Sequence, residues 1–328
     1  MRNAFITAIG AAAIALIVGG CAGSQTAAEK KWAPGRTAWG DPDLQGQWNS
    51  QTSTPLERPL QGKLAGKETI SEDEAEEFEN SERATFDAAP RQGDPGTYNA
   101  FWRDQGKALT RTSLVIDPPD GRVPAVTPER QARMAEERKA RSERGPADSY
   151  TDFSPWTRCI SRGWNGIGSW YSSNYQIFQS PGYVVVFQEL IHEPRIIPLD
   201  GRSHLPDSVG QWLGNSRGHF EGNTLVVETT NFDPRASYRG SSPKMMLTER
   251  YTPIDTNTLD YQFTVNDPTV FTKPWTVSRP MRRQTDGISV FEYACHEGNY
   301  AMKNMLAGAR ADEKAGRTPT RNAGGEGR

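Results

Sequence analysis

The sequence predicts a mainly β domain, an antiparallel barrel or sandwich with two peripheral helices. Short runs rich in β-branched and aromatic residues recur from about residue 153 onward, turn residues separate them, and helical signals are few. With 35% hydrophobic residues and 23 prolines, the chain can bury one good core and leave long solvated stretches. We therefore expect a single β-rich domain over residues 32–306.

The two helices are predicted by their N-terminal caps. Ser71, followed three residues later by Glu74, forms a capping box before an acidic segment at residues 72–87. Thr127 and Pro128 supply an N-cap and a first-turn proline for a second segment at residues 128–144. Both segments lack a broad apolar stripe, so we expect solvated arms at the surface of the domain.

The predicted strands share a high content of β-branched or aromatic residues and lie at 183–187, 195–199, 224–229, 247–254, 259–265 and 288–295. Pro198 cannot donate to a ladder, so its strand is expected at an edge or a bulge. Beyond about residue 307 the chain is rich in Gly, Ala and Arg, and residues 307–328 are expected to be a disordered tail.

The N-terminus predicts export and lipid anchoring. Residues 4–18 are apolar but too short for a lasting membrane span, Arg2 precedes them, and two glycines follow. The sequence VGGC at 18–21 resembles a bacterial lipobox, which implies cleavage after residue 20 and lipidation of Cys21. Residues 21–31 are then a flexible tether. Because Ala22 follows the cysteine and no aspartate does, we expect the outer membrane, facing the periplasm or the cell exterior.

Charge and cysteine content limit the partners. Without residues 1–20 the chain keeps 37 basic and 40 acidic residues, a charge balance that does not favour binding to nucleic acid. The lipid anchor is the only expected contact with a membrane. If Cys21 is lipidated, Cys159 and Cys295 remain as an even pair in an oxidising compartment, and we expect a disulfide. It would close a loop long enough to contribute roughly 4 kcal/mol of stability.

The four histidines are His192, His204, His219 and His296. Two are followed by glutamate, but Ile196 and Tyr300 stand where a second histidine of the zinc-binding H-E-x-x-H motif would be. No cofactor is predicted; a divalent metal held by histidines from different loops is the alternative.

Strand alternation selects further candidates. In residues 288–296, Glu292 and His296 share one face, about 13 Å apart on an extended strand. Pairing Ile254 with Leu259 across a turn at 255–257 places Arg250 on the interior face of a barrel. Such an arginine needs a carboxylate partner, for which Glu221, Glu228 and Glu292 are candidates, and it serves either as a structural salt bridge or in anion binding.

One loop concentrates polar groups with aromatic residues beside it. Asp200, Arg202 and His204 lie within five residues of each other, and Trp212 follows closely. Loops at the open ends of barrels commonly bind ligands, and aromatic side chains there pack well against sugars, phenolics and other flat ligands. A plain Asp-Gly turn with exposed polar neighbours is the alternative.

Several long sequence phrases resemble a widespread family of exported bacterial proteins of unassigned activity. They are RCI at 158–160, IHEPRIIPLDGR at 191–202, FEGNTLVV at 220–227 and FEYACHEGNY at 291–300, with DLQGQW at 43–48 and IDPPDGR at 116–122. Gly46-x-Trp48 is also similar to the start of the first strand in lipocalin-like barrels. The resemblance implies a β-barrel and transfers no reaction.

Two functions follow from these residues. The first is a small-molecule enzyme of the cell envelope, a lyase or hydrolase acting on a sugar-like or phenolic compound. His192 or His296 with Glu221 or Glu292 would transfer protons, and the substrate would be bound by the set Arg195, Arg202, His204, Trp212, Arg250 and Asn299. The second is a ligand-binding or scaffold lipoprotein in which these residues form structural networks. We favour the enzyme because the polar groups concentrate in a few loops.

Overall fold

A computed structural model describes residues 32–89, 99–103, 106–164, 173–236, 238–285, 287 and 290–317. The predicted signal peptide, Cys21 and the predicted tether lie outside these residues. The described strands are β1 Gly46–Asn49, β2 Val115–Asp117, β3 Asn174–Ser180, β4 Tyr183–Gln188, β5 Glu193–Pro198, β6 Asn215–Glu221, β7 Thr224–Thr230, β8 Met246–Asp255, β9 Thr258–Asn266, β10 Trp275–Ser278 and β11 Met281–Arg283. The described helices of more than one turn are α1 Glu72–Asp87, α2 Pro128–Ser142 and α3 Ala301–Lys314.

The strands form a nearly closed antiparallel barrel, as the sequence predicts. Its path is β5-β4-β3-β1-β11-β9-β8-β7-β6, and β10 extends the sheet by pairing with both β9 and β2. Three pairs of neighbours, β3–β4, β6–β7 and β8–β9, are joined by tight hairpins, and the last of these turns lies at the predicted residues 255–257. Pro198 lies in β5, at one end of the path, which confirms its prediction as an edge-strand residue.

The barrel closes where β5 meets β6, and Gly218 permits this approach. A Cβ atom at Gly218 would lie 2.7 Å from Ile197 Cγ2 and 2.9 Å from Leu199 Cδ2. No ladder joins the two strands among the described residues, so side-chain packing across Gly218 closes this seam.

The core fills the barrel with alternate residues of each strand. Trp48, Ile177, Leu225, Leu247 and Phe263 are nearly inaccessible to solvent and belong to one apolar cluster. The tryptophan of the Gly46-x-Trp48 motif donates from Nε1 to the Leu44 carbonyl at 3.0 Å, and its ring lies under the Arg283 guanidinium. The motif therefore anchors the first strand to the last part of the barrel.

The helices begin at the predicted caps. Ser71 and Glu74 form the capping box of α1, with reciprocal bonds of 3.1 and 2.9 Å. The Thr127 side chain accepts from the Arg130 amide at the start of α2. No residue of α2 is buried, so it is the predicted solvated arm. No described helix has both the length and the apolar content to cross a membrane.

The C-terminal part of the domain differs from the prediction. The described residues from Val290 to Cys295 do not form a strand, because Ala294 has a φ of 43° and Phe291 is 64% exposed, so no sheet stabilises an extended chain there. The tail predicted from residue 307 is wrong as far as Lys314, since α3 runs to that residue. Its Ala-rich sequence favours helix, and Arg310 binds the Ala147 carbonyl.

The predicted disulfide is confirmed. Cys159 and Cys295 are bonded, with Cα atoms 5.7 Å apart, and they join the loop before β3 to the segment before α3. This bridge fixes residues 290–300 to the barrel although they form no strand.

Candidate functional site

A small cavity lies inside the barrel, and strands β3, β4, β5, β8, β9 and β11 all contribute side chains to its lining. Its volume is about 30 Å³, room for roughly two water-sized groups. The lining residues are Ser50, Trp164, Tyr175, Val186, Gln188, Glu193, Arg195, Leu213, Glu249, Tyr251, Tyr261 and Met281. Glu193 and Leu213 are only half-buried, so the cavity meets solvent on their side.

An ion pair between Glu249 and Arg195 forms the floor of the cavity. Glu249 has no exposed surface, and Arg195 is 7% exposed. The guanidinium binds the carboxylate in bidentate form: Nη1 donates to Oε2, and Nη2 donates to Oε1 at 2.8 Å. Burial of both ions is compensated because opposite charges meet in the geometry that a guanidinium and a carboxylate share.

Three further donors converge on the same carboxylate oxygen. Tyr261 and Tyr251 donate their hydroxyl protons to Glu249 Oε1 at 2.8 and 2.9 Å, and the Trp164 indole N–H donates at 3.2 Å. The Tyr251 hydroxyl also accepts from Arg195 Nη2 at 3.0 Å. The Tyr261 hydroxyl uses its proton on Glu249 and accepts from no described donor, so a ligand hydroxyl entering the cavity could donate to the Tyr261 oxygen.

The network holds Glu249 ionised. Burial raises the pKa of the Glu249 carboxyl, but the Arg195 charge and the hydrogen bonds from Arg195 and the tyrosines outweigh it, and the net pKa is lowered. Burial and the Glu249 charge raise the pKa of Tyr251 and Tyr261 well above their ordinary range. None of these groups changes protonation near neutral pH, so the floor is a fixed set of charges and dipoles.

Glu193, at the open side of the cavity, differs from Glu249. Burial raises the pKa of its carboxyl, and the Ser161 hydroxyl, which donates to Oε2 at 2.7 Å, only partly offsets this. No described cation pairs with Glu193. A carboxyl with a raised pKa beside a cavity is the kind of group that exchanges protons with a ligand.

Gln188 contributes an unused donor to the same cavity. The residue is 8% exposed, and its Nε2 has no hydrogen-bond partner. Buried amides are normally bonded, so this position is suited to a ligand oxygen. Gln188 and Glu193 are register partners on the neighbouring strands β4 and β5.

Arg250, predicted to face the interior, lies on the outside of the barrel. The pair Asp255↔Thr258 closes the turn as expected, but a bulge follows, and beyond it Tyr251 faces Tyr261 and Arg250 faces Gln262. The extra residue shifts the register by one and exchanges the two faces of β8. Glu249 therefore takes the interior position, while Arg250 pairs outside with Glu221 at 2.9 Å.

The other predicted catalytic residues do not meet at the cavity. His192 is exposed and packs edge-on against Phe187, with ring centroids 4.6 Å apart. His296 and Glu292 are exposed on the irregular segment after β11, where the predicted strand is absent. Glu221 is exposed as well; its bonds to Arg250 and His219 lower the pKa of its carboxyl, which weakens it as a base.

The predicted binding residues are also dispersed, except for Arg195 on the cavity floor. Arg202 is exposed and bound to Asp200 in the predicted Asp-Gly turn. His204 Nδ1 lies 3.3 Å from Asn215 Oδ1. Trp212 lies under the Arg235 guanidinium, 4.7 Å from the ring centroid. Asn299 is exposed and contacts the disulfide through Cys159 Sγ at 3.2 Å.

Neither the histidines nor the acidic residues form a metal centre in the part of the chain that the structure describes. No group of three or more His, Cys, Asp or Glu side chains there is arranged to hold an ion. All four histidines are described, and the lining of the cavity includes none of them.

A larger open groove of about 690 Å³ lies between α2 and the chain near residues 240–244. Its basic residues are largely occupied. Arg130 pairs with Glu137 at 2.7 Å, and Arg133 donates to the Thr269 carbonyl at 3.1 Å. We therefore place the candidate site in the barrel interior, where partner-free polar groups face the space.

Glu249, Tyr251, Tyr261, Glu193 and Gln188 were not selected from the sequence. Strand alternation already favours the interior for Tyr261, but it places Glu249 and Tyr251 there only once the bulge in β8 is known. No protein-family model matches the chain, and comparison with curated proteins finds no match.

Proposed function

We propose that the protein binds a small hydroxyl-bearing molecule, sugar-like or phenolic, at the open side of the barrel cavity, with one hydroxyl group reaching into the cavity, and acts on it by acid–base chemistry. The observation that carries this proposal is the pairing of Glu193, whose carboxyl pKa is raised by burial, with the partner-free amide of Gln188 beside it. The Glu193 carboxyl can exchange a proton with the ligand, and the Gln188 amide can donate a hydrogen bond to the ligand oxygen that receives this proton.

The fixed hydrogen-bonding groups at the floor of the cavity orient the ligand. A ligand hydroxyl donates to the Tyr261 oxygen, while a ligand oxygen accepts from Gln188 Nε2. The rest of the ligand lies at the open side of the cavity, near Glu193 and Leu213. In this arrangement a protonated Glu193 serves as general acid toward a leaving oxygen, as in a hydrolase or lyase.

A panel of 4-nitrophenyl glycosides and esters tests the proposal, with release of 4-nitrophenol as the readout. Glu193→Gln keeps the shape of the side chain, and we expect it to abolish turnover while the circular dichroism spectrum is unchanged. Glu292→Gln, an exposed carboxylate, is the matched control and should keep full activity. Turnover that survives in Glu193→Gln would show that this carboxyl does not transfer the proton.

Non-catalytic ligand binding is the second candidate. Glu249 already accepts four donors at Oε1, as expected of a rigid binding floor, and no histidine lines the cavity. Saturable binding of these compounds, observed by tryptophan fluorescence without any release of 4-nitrophenol, would favour this function.

We also propose that the protein is a lipoprotein anchored through Cys21 in the cell envelope, at the outer membrane. The support is the sequence of residues 1–22. Mass spectrometry of the purified protein should show a diacylated cysteine at the mature N-terminus. Cys21→Ser should move the protein from the membrane fraction to the soluble one, and an unmodified Cys21 in the wild-type protein would contradict the proposal.

A further inference from the structure

The N-terminal segment of the domain, residues 33–45, lies across one end of the barrel before the chain enters β1. Arg36 Nη2 donates to Asn223 Oδ1 at 3.1 Å, in the turn between β6 and β7. Gln179, beside the turn between β3 and β4, donates from Nε2 to the Pro42 carbonyl at 3.0 Å. The segment is therefore fixed to two hairpin turns by hydrogen bonds.

The turn between β8 and β9 lies at the same end. Arg283 donates from Nη1 to the Gln45 carbonyl at 2.9 Å and from Nε to the Thr256 carbonyl, in that turn, at 3.0 Å. One guanidinium thus joins the N-terminal segment to the third hairpin. We call this end of the barrel, with its three turns, the N-terminal end.

The cavity opens toward the opposite end. Gln188 and Glu193 are register partners at the ends of β4 and β5 that lie away from the turn between β3 and β4. Strand β4 begins at Tyr183, beside that turn, and its six residues span about 17 Å. Leu213 precedes β6, whose other end forms one of the three turns. The half-buried residues of the cavity lining therefore face away from the N-terminal end.

The chain between the predicted lipid site and the barrel is short. Cys21 precedes Ala33, the first residue of the compact domain, by twelve residues. Fully extended, twelve residues reach about 40 Å at most. Strand β8 alone has ten residues and is about 33 Å long. To turn the open side of the cavity toward a bilayer, this chain would have to run along the barrel at nearly full extension, which costs conformational entropy.

Exposed aromatic and aliphatic side chains lie at the N-terminal end. Trp39 is in the N-terminal segment, Tyr183 begins β4, and Ile254 lies beside the turn between β8 and β9, all exposed. Phe178 and Ile196, also exposed, lie in one row across the outer face of β3, β4 and β5. Tryptophan and tyrosine suit the surface of a bilayer because one part of the ring is apolar and the other polar. Exposed apolar residues occur elsewhere on the domain too, so the chain connection decides which end meets the lipid.

Charged side chains at this end form neutral pairs. Arg202 is bound to Asp200 and lies 3.3 Å from the Tyr183 hydroxyl, and Arg250 pairs with Glu221 at 2.9 Å. Contact with lipid therefore depends on apolar side chains and does not require anionic headgroups.

We propose that the barrel rests on the phospholipid surface by its N-terminal end, with Trp39, Tyr183 and Ile254 in the interfacial layer and the cavity opening away from the bilayer. This inference rests on the proposed lipid anchor and adds the orientation of the domain. The ligand then enters from the aqueous phase, as a water-soluble hydroxyl-bearing molecule would. A membrane lipid would have no direct path to the cavity.

A nitrobenzoxadiazole label on a single introduced cysteine tests this orientation in the full lipidated chain, reconstituted into phosphatidylcholine vesicles. Ser180→Cys places the label in the exposed turn between β3 and β4. Ser208→Cys places it in the exposed loop that Asn231, just after β7, binds at the Pro206 carbonyl, at the other end of the barrel. We expect the emission at position 180 to shift to the blue and to be quenched by headgroup spin-labelled lipid. Emission at position 208 should do neither.

A double variant tests the named side chains. Tyr183→Ser with Ile254→Ser should reduce the blue shift at position 180, although the protein still sediments with the vesicles through its anchor. Phe291→Ser is the matched control, because Phe291 is exposed at the other end, where its amide donates to Glu189. It should keep the full shift, and all variants should share the circular dichroism spectrum of the wild type.

The outcomes separate the orientation from the anchor. Vesicle-bound protein that shows equal quenching at positions 180 and 208, or more at 208, would overturn the orientation and leave the anchor intact. Protein that does not sediment with vesicles would refute the anchor and the orientation together. A blue shift at position 180 that grows with protein concentration in the absence of lipid would show that a second copy covers this surface, which would also overturn the inference.

Discussion

The Glu249–Arg195 pair gives the sharpest stability prediction. Glu249→Gln removes the charge of a side chain with no exposed surface while keeping its size, so it creates no cavity. The Arg195 guanidinium, 7% exposed, is then left without a carboxylate. Removing one partner of a buried ion pair costs about 3 to 5 kcal/mol, because the other charge stays buried and unpaired. We expect a loss of this size in the free energy of unfolding.

A double variant separates charge from packing. In Arg195→Met with Glu249→Gln both charges are gone, so no buried charge is left unpaired. The amide oxygen introduced at position 249 can still accept from the hydroxyls of Tyr251 and Tyr261. We therefore expect the double variant to be more stable than Glu249→Gln.

Urea unfolding followed by tryptophan fluorescence measures these differences. Glu221→Gln is the matched control, since it breaks the exposed Arg250 pair on the outside of the same sheet and should leave the midpoint nearly unchanged. A Glu249→Gln protein as stable as the wild type would refute the assignment of a buried ion pair to the barrel interior. A double variant that is less stable than Glu249→Gln would also refute this assignment.

Three further predictions concern the fold and the site. The double variant Cys159→Ser with Cys295→Ser should lose about 2 to 4 kcal/mol of stability in chemical unfolding, and the reduced wild type should match it. Gly218→Val should lower the melting temperature, since its side chain would collide with Ile197 at the barrel seam, whereas Gly222→Val, with open space around its Cα, should have a smaller effect from strain alone. The raised pKa of Glu193 means that the folded state holds its proton more tightly than the unfolded chain, so the wild type should lose stability as the pH rises from about 4.5 through the raised pKa. Glu193→Gln should lack this pH-dependent loss, and identical pH profiles of the two proteins would contradict the assignment.

The sequence predicted those features of the fold that depend on residues close together in the chain. The caps at Ser71 and Thr127 located both arms, because a cap is satisfied by side chains within three residues. The alternation of apolar residues predicted an antiparallel barrel, and Pro198 predicted its edge strand. The expectation of export, with two cysteines left over for pairing, was enough to predict the disulfide, since neither premise depends on geometry.

The site required the tertiary structure. One extra residue between Pro253 and Asp255 decides whether Glu249 or Arg250 points into the barrel. The free energy of forming that bulge depends on packing throughout the barrel and not on the turn residues alone. The 291–296 segment has strand-like composition, but no neighbouring strand offers it hydrogen bonds, so its Glu and His remain on the surface. The sequence alone thus predicted the two capped helices α1 and α2 and the strands β4, β5, β7, β8 and β9. Long-range pairing decided which charges are buried together, because burial depends on contacts between residues far apart in the sequence.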